Sequence, residues 1–241
     1  MRVADPRVAI VFGARNVGRA VVGERLARGW RVLAVSRTTE TLERLAEFHP
    51  EVVTVAGDAS NPHFVEEVVA RAQRDLGGLD LVVNAVTAPP RDQGFGGGPL
   101  SEAPPERLDD WMAGFVPHAW AVLRAGAAAM ARNQAGTIIQ VSGGSARRAF
   151  PGRGAWGAAQ AAARALTHAA AQELRGAGVH VALLIADGMI RTERNPMAGR
   201  AERDGLNPED VAAAVAYLEA QSERAWTHEL VITPAGDTWV P

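Results

Sequence analysis

The sequence predicts a doubly wound α/β fold, in which a parallel sheet of about seven strands carries helices on both faces. Short apolar runs alternate with amphipathic stretches along most of the 241 residues. The apolar runs are continuous, which is typical of parallel strands that are buried on both sides. A glycine-containing turn joins the first of these runs to the first amphipathic stretch. No repeat or linker divides the chain, so we expect one domain over residues 1–241.

The predicted elements follow one another at regular distances. Strands are expected over 8–12, 31–35, 52–55, 81–84, 137–142, 179–185 and 229–233. Helices are expected over 18–28, 39–47, 61–76 and 155–175, and the third begins with an Asn-Pro cap signal. The Gly- and Pro-rich segment 88–105 interrupts this order, and its composition indicates an exposed, mobile loop. Such a loop is either a tolerated surface insertion or a flap over a cleft.

The composition excludes several classes of function. The absence of cysteine excludes disulfides, thiolate metal sites and cysteine nucleophiles, and the six histidines lack metal-ligand spacing, so we expect no metal site. With 25 basic and 27 acidic residues and no basic block, nucleic acid is not an expected partner. No apolar run reaches the roughly 18 residues of a membrane helix, and no signal-peptide shape is present. We therefore expect a cytoplasmic protein that binds a small-molecule substrate or ligand.

The turn after the first predicted strand is a candidate nucleotide site, because doubly wound sheets bind ligands at the carboxyl ends of their strands. Gly13 permits a tight turn, and Gly18 permits close packing of the helix on the strand. With Asn16 and Val17, these residues place the N–H groups of a helix N-terminus next to a diphosphate. Arg15 replaces the middle glycine of the G-x-G-x-x-G pattern, so one point of close backbone approach is lost.

The end of the second predicted strand indicates which dinucleotide is bound. An acidic residue at this position would bind the ribose 2′-hydroxyl of NAD. The sequence instead has Arg37 after Ser36, and Arg15 lies in the neighbouring turn. Guanidinium groups suit a 2′-phosphate, so we expect NADP(H) in preference to NAD(H). Alternatively, Arg37 is an ordinary surface arginine.

Four further segments resemble the short-chain dehydrogenase/reductase family, in the order that the family shows. These segments are Gly57-Asp58-Ala59, Leu81 to Ala85, Gly136 to Ser142, and Asp187 to Thr192. They are similar, in turn, to the family's adenine-binding segment, its Asn-Asn-Ala-Gly strand, its catalytic-serine strand and its Pro-Gly-x-x-x-Thr segment. Val83, Val86 and Asp187 depart from these patterns. The resemblance implies a Rossmann-like fold and cofactor contacts from Asp58, Ala59, Asn84, Ala85 and Thr192.

The family's reaction depends on a tyrosine proton donor, a lysine one helical turn later, a serine and an asparagine. An ungapped alignment places Trp156, Gln160 and Gly143 at the tyrosine, lysine and serine, and the preceding helix places Phe115 at the asparagine. An indole N–H is not an acid near neutral pH, and an amide has no charge to lower a neighbour's pKa. The only tyrosine, Tyr217, is expected in a helix far downstream. The usual proton relay is therefore expected to be absent.

Other roles remain for the residues of this cleft. Gln160 is expected to bind the nicotinamide ribose in place of the lysine, and Thr192 the carboxamide. Ser142, Gly143 and Trp156 are expected to line the substrate cleft, where Trp156 either stacks on a ligand or fills the space of the tyrosine. The candidate substitute acids are Ser142, Ser145, His118 and Asp187.

Each candidate acid also has a structural interpretation. The serines satisfy backbone groups, His118 packs inside the protein or at an interface, and Asp187 caps the following turn. Arg147 and Arg148 follow the Ser142 loop, where they could attract an anionic substrate.

Three functions remain open. The first is an NADP(H)-dependent oxidoreductase with an altered proton donor, acting on a substrate that needs little protonation, such as an iminium ion or an activated alkene. The second is a non-catalytic nucleotide-binding sensor or scaffold, a pseudoenzyme. The third is a non-redox enzyme such as a lyase or isomerase, whose nucleotide pocket Arg15 blocks. The Ala-rich helix 155–175 has small residues on several faces, and the resemblance implies that it packs against its copy in a homodimer or homotetramer.

Overall fold

Seven parallel strands form one sheet among the residues that the computed structural model describes, which are 6–90, 96–193 and 195–239. The strands are β1 (Val8–Phe12), β2 (Arg31–Ser36), β3 (Val53–Ala56), β4 (Leu81–Asn84), β5 (Gly136–Gly143), β6 (Val179–Ala186) and β7 (Glu229–Ile232). Their order in the sheet is β3-β2-β1-β4-β5-β6-β7. The predicted doubly wound fold is confirmed, and the strand boundaries differ from the predicted ones by one residue at most.

Helices cover both faces of this sheet. They are α1 (Val17–Ala27), α2 (Thr39–Phe48), α3 (Pro62–Arg71), α4 (Arg107–Asn133), α5 (Gly154–Leu174) and α6 (Pro208–Glu219). The apolar side chains of α3, α4 and α5 form one core cluster with the sheet, and those of α1, α2 and α6 form another on the opposite face. No helix within the described ranges combines the length and the apolarity needed to cross a lipid bilayer.

The central strand β1 shows why the apolar runs are continuous. Val8, Ile10 and Phe12 pack in the cluster under α3 and α4, whereas Ala9 and Val11 pack in the cluster under α1 and α2. Successive side chains of a strand point to opposite faces. A strand that is covered on both sides must therefore be apolar at every position.

The start of α3 confirms one local prediction, and its end corrects another. The Asn61 side chain accepts hydrogen bonds from the backbone N–H groups of His63 and Phe64 at 3.0 and 3.3 Å, and Pro62 occupies the first turn. The helix predicted over 61–76 is wrong at its end, because α3 stops at Arg71. The chain continues as a π-helical turn over Ala72–Leu76, and Gly77 closes this turn with a φ of 89°.

The order of the strands reverses between β1 and β4. Strands that follow one another in sequence run outward from this point, to β3 on one side and to β7 on the other. The helices after β1 and β4 consequently cover opposite faces of the sheet, which opens a crevice at the carboxyl ends of these two strands.

The first turn of α1 packs directly on the end of β1 at this crevice. A Cβ atom added to Gly18 would lie 1.7 Å from the carbonyl oxygen of Gly13. Such a separation is far shorter than any real contact, so only glycine allows α1 to begin at this position. The helix starts at Val17, one residue before the predicted boundary.

We expect Gly18→Ala to lower the free energy of unfolding by about 2 kcal/mol or more, because the added methyl group must displace backbone. The matched control is Gly176→Ala, since a Cβ at Gly176 meets no atom within 4 Å. This control is expected to change stability by less than about 0.5 kcal/mol. Urea unfolding followed by circular dichroism measures both values, and equal stability of the two variants would contradict the packing described here.

Candidate functional site

The floor of the crevice is formed by the backbone of the β1–α1 turn and the end of β4. Gly13 has a φ of +91°, and a Cβ atom on it would lie 2.6 Å from the carbonyl oxygen of Ala85. Its N–H donates to the Val35 carbonyl at 2.9 Å, and the Ala85 N–H donates to the Phe12 carbonyl at 2.8 Å. The ends of β1, β2 and β4 are thus joined by backbone contacts around Gly13, which has no side chain.

The remaining residues of this turn lead from the crevice into α1. Arg15 and Asn16 are exposed, whereas Val17 is buried. Asn16 has a φ of 40°, a region that asparagine enters more readily than most residues. The side chain of Arg15, which stands at the middle position of the glycine pattern, therefore reaches solvent.

The ends of β2 and β3 bring a cation and a carboxylate together. The Gly57 N–H donates to the Ser36 carbonyl at 3.0 Å, which joins the two strand ends, and the exposed Arg37 and Asp58 follow. Partial burial by itself would raise the pKa of Asp58. Hydrogen bonds from Ser60 and the charge of Arg37 outweigh it, so the net effect is a lowered pKa. Ala59, the next residue after Asp58, is buried.

A buried polar network lies beneath the crevice, between β4, β5 and α4. Asn84 and Gln140 are partners in the register of β4 and β5, and Asn84 Nδ2 donates to Gln140 Oε1 at 2.8 Å. The same Nδ2 lies 3.1 Å from Nδ1 of His118. Asn84 Oδ1 in turn accepts from the Val86 N–H at 3.2 Å. The network therefore holds the end of β4, on which Gly13 rests.

His118 is the titratable member of this network and is only 3% exposed. Burial lowers its pKa to about 4, although the nearby Gly114 carbonyl opposes the shift. The imidazole is consequently neutral at pH 7. The imidazole therefore has two polar neighbours, the Asn84 amide at Nδ1 and the Gly114 carbonyl one helical turn earlier.

At the other end of the crevice, Gln160 on α5 joins the end of β5. Its Oε1 accepts hydrogen bonds from the Ser142 hydroxyl and from the Gly143 N–H, the latter at 3.1 Å. Gln160 is 5% exposed. Since two donors share the carbonyl oxygen, the amide nitrogen is the group of this side chain that remains for a ligand.

An aromatic cluster fills the space between α4 and the start of α5. The rings of Trp111 and Phe115 stack with centroids 6.0 Å apart, and Trp156 lies 5.9 Å from Trp111 at a tilt of 33°. Trp111 is 1% exposed, whereas Trp156 is partly exposed. A Cβ on Gly143 would lie 3.9 Å from the Trp156 ring. Trp156 therefore lies beside Gly143 and packs against Trp111.

A strap of three glycines covers the start of α5. Gly96, Gly97 and Gly98 all have positive φ angles, of 93°, 103° and 85°. The Gly96 carbonyl lies 3.5 Å from the Trp156 N–H, and the Gly98 N–H donates to the Gly152 carbonyl at 3.0 Å. Gly96 and Gly97 are buried, so the prediction of an exposed loop is wrong for them. Residues 91–95 of the segment 88–105 lie outside the described residues.

The end of β6 is closed by an ion pair. Arg148 donates from Nε and Nη2 to the two carboxylate oxygens of Asp187 at 3.0 and 2.9 Å. Its guanidinium also lies over the rings of Phe150 and Trp239, at 4.4 and 4.2 Å. The prediction that Asp187 caps the following turn is wrong, because its carboxylate binds Arg148. Arg147 likewise pairs with Glu229 at 3.2 Å.

The segment after β6 returns toward α1 and α2. The Thr192 hydroxyl accepts a hydrogen bond from the Asn195 N–H at 3.0 Å, which closes a local turn. The neighbouring Glu193 reaches Arg19 on α1 at 3.4 Å and Arg44 on α2 at 3.2 Å. Thr192 is thus brought to the side of the crevice that the glycine turn forms, and Gln160 lies on the other side.

Sequence reasoning did not identify Trp111, Gln140, the glycine strap or Trp239 as parts of this region. Gln140 carries a usable signal, because an amide between Ile139 and Val141 in an apolar strand needs a buried partner. Trp111 and Trp239 carry no such signal, since their neighbours come from distant parts of the sequence.

The reversal of strand order, the glycine turn and the closely packed first helix define a Rossmann-like α/β protein. The short chain dehydrogenase family matches residues 7–203. This match covers most of the sequence, and the chain belongs to the short chain dehydrogenase family.

Three known proteins illustrate this relationship. The chain is 27% identical over 240 residues to an uncharacterized oxidoreductase of Staphylococcus aureus (strain USA300), an alignment that covers 97% of this chain and 100% of the relative. It is 32% identical over 192 residues to the 2-(R)-hydroxypropyl-CoM dehydrogenase of Xanthobacter autotrophicus, covering 77% and 75%. A metagenomic short-chain oxidoreductase in complex with NADP superposes with a TM-score of 0.73 at 25% identity, covering 96% and 98%.

We expect the buried His118 to make the protein less stable in mild acid. The pKa of His118 is about 4 in the folded chain and about 6.5 in the unfolded chain. The unfolded chain therefore gains a proton first as the pH falls. Between pH 7 and pH 5, protonation linked to His118 should lower the free energy of unfolding of wild type by roughly 2 kcal/mol. His118→Phe lacks this group and should not show that loss.

Urea unfolding at the two pH values measures this difference. The control is His63→Phe, since the His63 side chain is 90% exposed; its acid sensitivity should match that of wild type. Equal acid sensitivity of His118→Phe and wild type would show that the folded protein accommodates the charged imidazole.

Proposed function

We propose that this protein is an NADP(H)-binding oxidoreductase that transfers hydride without the tyrosine–lysine proton relay of its family. The observation that carries the proposal is the contrast between the two ends of one crevice. The end formed by β1, β2 and β3 keeps a backbone cradle and polar groups that suit a dinucleotide. The end formed by β5 and α5 has aromatic and amide side chains where the family has its proton donor.

The residues at the first end fit a dinucleotide. Gly13 and Gly18 let the turn and the start of α1 pack directly on the ends of β4 and β1. The first N–H groups of α1 at this position suit a diphosphate. Asp58, Ala59, Asn84 and Ala85 would hold the adenosine part, and Thr192 the carboxamide. The amide nitrogen of Gln160 would bind the nicotinamide ribose, because its carbonyl oxygen is already held by Ser142 and Gly143.

The choice of NADP(H) over NAD(H) rests on Arg37. Its guanidinium is exposed at the end of β2, next to Asp58, and no acidic residue takes its place there. A 2′-phosphate favours a guanidinium partner, and the exposed Arg15 is positioned in the neighbouring turn to add a second one. The solved relative at 25% identity holds NADP, which supports the same choice.

Among the described residues, the second end of the crevice offers no replacement for the proton relay. The only tyrosine of the chain, Tyr217, is 58% exposed on α6, and the sequence contains no lysine, since all 25 basic residues are arginine. Among the candidate acids, His118 is buried and neutral, Asp187 is paired with Arg148, and Ser142 donates to Gln160. Ser145 remains, but a hydroxyl is a weak acid.

The proposed substrates follow from this lack of an acid. A bound nicotinamide supplies or accepts the hydride, while the protein positions the two reactants and excludes water. General acid catalysis typically contributes about 10² to 10⁴-fold to a rate. The substrate class is therefore an electrophile that needs little protonation, such as an iminium ion or an activated alkene.

A second function, binding of NADP(H) without turnover, is favoured by the aromatic cluster. Trp111 and Phe115 are buried, and Trp156 packs on Trp111, so the ring of Trp156 is held by side chains of the protein itself. In such a protein, Trp156 would fill the tyrosine's place without contacting a substrate.

We also propose that two or four copies associate through α5 in the cytoplasm. Four exposed positions of this helix are alanines, namely Ala158, Ala161, Ala165 and Ala169. Such a surface lets a second helix approach closely. The half-exposed Trp120 on α4 would add apolar area to this interface.

We expect micromolar binding of NADPH and at least about tenfold weaker binding of NADH, a difference of about 1.4 kcal/mol. Arg37→Ala should lower the affinity for NADPH about tenfold and leave NADH nearly unchanged. Quenching of tryptophan fluorescence or heat of binding measures both ligands. Arg132→Ala is the matched control, because it removes an exposed arginine at the end of α4. No binding of either nucleotide at millimolar concentration would reject both proposed functions.

We expect the wild type to reduce iminium ions or activated alkenes with NADPH and to leave unactivated ketones almost unchanged. The combined variant Gly143→Ser, Trp156→Tyr and Gln160→Lys should gain about 10² to 10⁴-fold on ketones if the acid is the missing element. The serine fits, since a Cβ on Gly143 makes only an ordinary contact with the Trp156 ring.

Oxidation of NADPH coupled to loss of substrate measures this gain, and an unchanged affinity for NADPH is its control. Rapid ketone reduction by the wild type would reveal another proton donor. Failure of the wild type on all three substrate classes, with NADPH bound, would favour the non-catalytic function.

A further inference from the structure

The amide of Gln160 is held in one orientation at the end of β5. The Gly143 N–H, which can only donate, lies 3.1 Å from Gln160 Oε1, so the carbonyl end of the amide faces the strand. The Ser142 hydroxyl donates to the same oxygen. An amide turned the other way would place its N–H₂ group against the Gly143 N–H and lose both bonds.

The nitrogen end of this amide is left for a ligand. Gln160 makes no other hydrogen bond within the described part of the chain. Its Nε2 is not sealed from solvent, in contrast to the buried and unpaired hydroxyl oxygen of Ser145. Because β5 lies next to β4, whose end forms the floor of the crevice, the N–H₂ group is presented at the edge of the same crevice.

Ser142 is the side chain that fixes the direction of this donor. A glutamine side chain has several rotatable bonds, and ordering them when a ligand binds costs conformational entropy. A single hydrogen bond from Gly143 lets the amide swing about that contact, whereas donors from two neighbouring residues hold both its position and its direction. An amide that is ordered before the ligand arrives binds an acceptor more tightly.

We infer that Ser142 is a positioning residue, which acts through Gln160 and keeps the N–H₂ group of that amide directed at the nicotinamide ribose. This inference rests on the proposed function, because it requires a dinucleotide whose nicotinamide end lies at α5. The ribose hydroxyl oxygens suit the oriented donor, since they accept hydrogen bonds. In this role Ser142 need not touch the ligand, because its hydroxyl hydrogen is used by Gln160.

Three substitutions test the role of the hydroxyl. We expect Ser142→Ala to bind NADPH about three- to tenfold more weakly than wild type, whereas Ser142→Thr, which keeps the hydroxyl, stays within about twofold. Adenosine 2′,5′-bisphosphate lacks the nicotinamide end and should bind all variants equally, which also shows that they are folded. Ser222→Ala is the control, because it removes an exposed hydroxyl after α6 and should leave both affinities unchanged.

A double-mutant cycle shows whether Ser142 acts through Gln160. If it does, Ser142→Ala should weaken NADPH binding in the wild-type background and have no further effect in a Gln160→Ala background. A general effect of Ser142 on the structure would instead weaken binding by the same factor in both backgrounds.

A further measurement uses the unsubstituted protein and does not depend on the folding of a variant. Nitrogen-15 NMR detects the side-chain N–H₂ group of Gln160, whose signal is assigned by its loss in Gln160→Ala. Saturation with NADPH should shift this signal, whereas adenosine 2′,5′-bisphosphate should leave it in place.

The outcomes separate this inference from the proposed function. If wild type binds neither NADPH nor adenosine 2′,5′-bisphosphate, the proposed function is rejected and the role of Ser142 falls with it. If wild type binds both, the role of Ser142 alone is overturned by any of three results: Ser142→Ala binds NADPH as tightly as wild type, Ser142→Thr binds it as weakly as Ser142→Ala, or the losses in the cycle are independent. A Gln160 signal that NADPH does not move would overturn it as well.

Discussion

The close approach of the β1–α1 turn to the end of β4 is the constraint on which the rest of this structure depends. Gly13 lies against the Ala85 carbonyl, and Gly18 lies against the carbonyl of Gly13. Each contact excludes even a methyl group, so two strands and a helix meet through backbone alone. The hydrogen bond between the buried amides of Asn84 and Gln140 then holds β4 in register with β5. The ends of β1, β2 and β4 take their relative positions from this meeting point.

The two ends of the crevice differ in the kind of chemistry that their side chains support. At the β2 and β3 end, Arg37 and Asp58 present opposite charges to solvent beside a polar network. At the α5 end, aromatic rings pack on one another, and the ionisable Asp187 is neutralised by Arg148. If a dinucleotide binds with its adenosine part at the β2 and β3 end, as we propose, recognition of that part does not depend on the side chains at the α5 end.

The sequence predicted the layers of the fold well, because a strand covered on both faces must be apolar throughout. The turn glycines and the Asn61 cap were also predictable, because both depend on the local backbone. The glycines permit a close backbone approach, and Asn61 binds a free N–H group at the start of α3. The surroundings of Asp187 were not, because its partner Arg148 and the ring of Trp239 come from distant segments. The buried strap at Gly96 and Gly97 was missed for a different reason: composition indicates a loop but not the surface on which the loop packs. The candidate site was therefore predictable residue by residue only where its geometry is local.

The glycine strap has a consequence for how this cleft can evolve. Gly96, Gly97 and Gly98 have no side chains, and their positive φ angles strain any replacement. What they present beside Trp156 is a row of peptide groups, with the direction of each dipole set by the path of the chain. A single substitution in Gly96, Gly97 or Gly98 cannot easily change the charge, size or polarity of this surface. New ligand preferences along this side would have to arise by insertion or deletion in the segment before α4, whereas the α5 side can change one residue at a time.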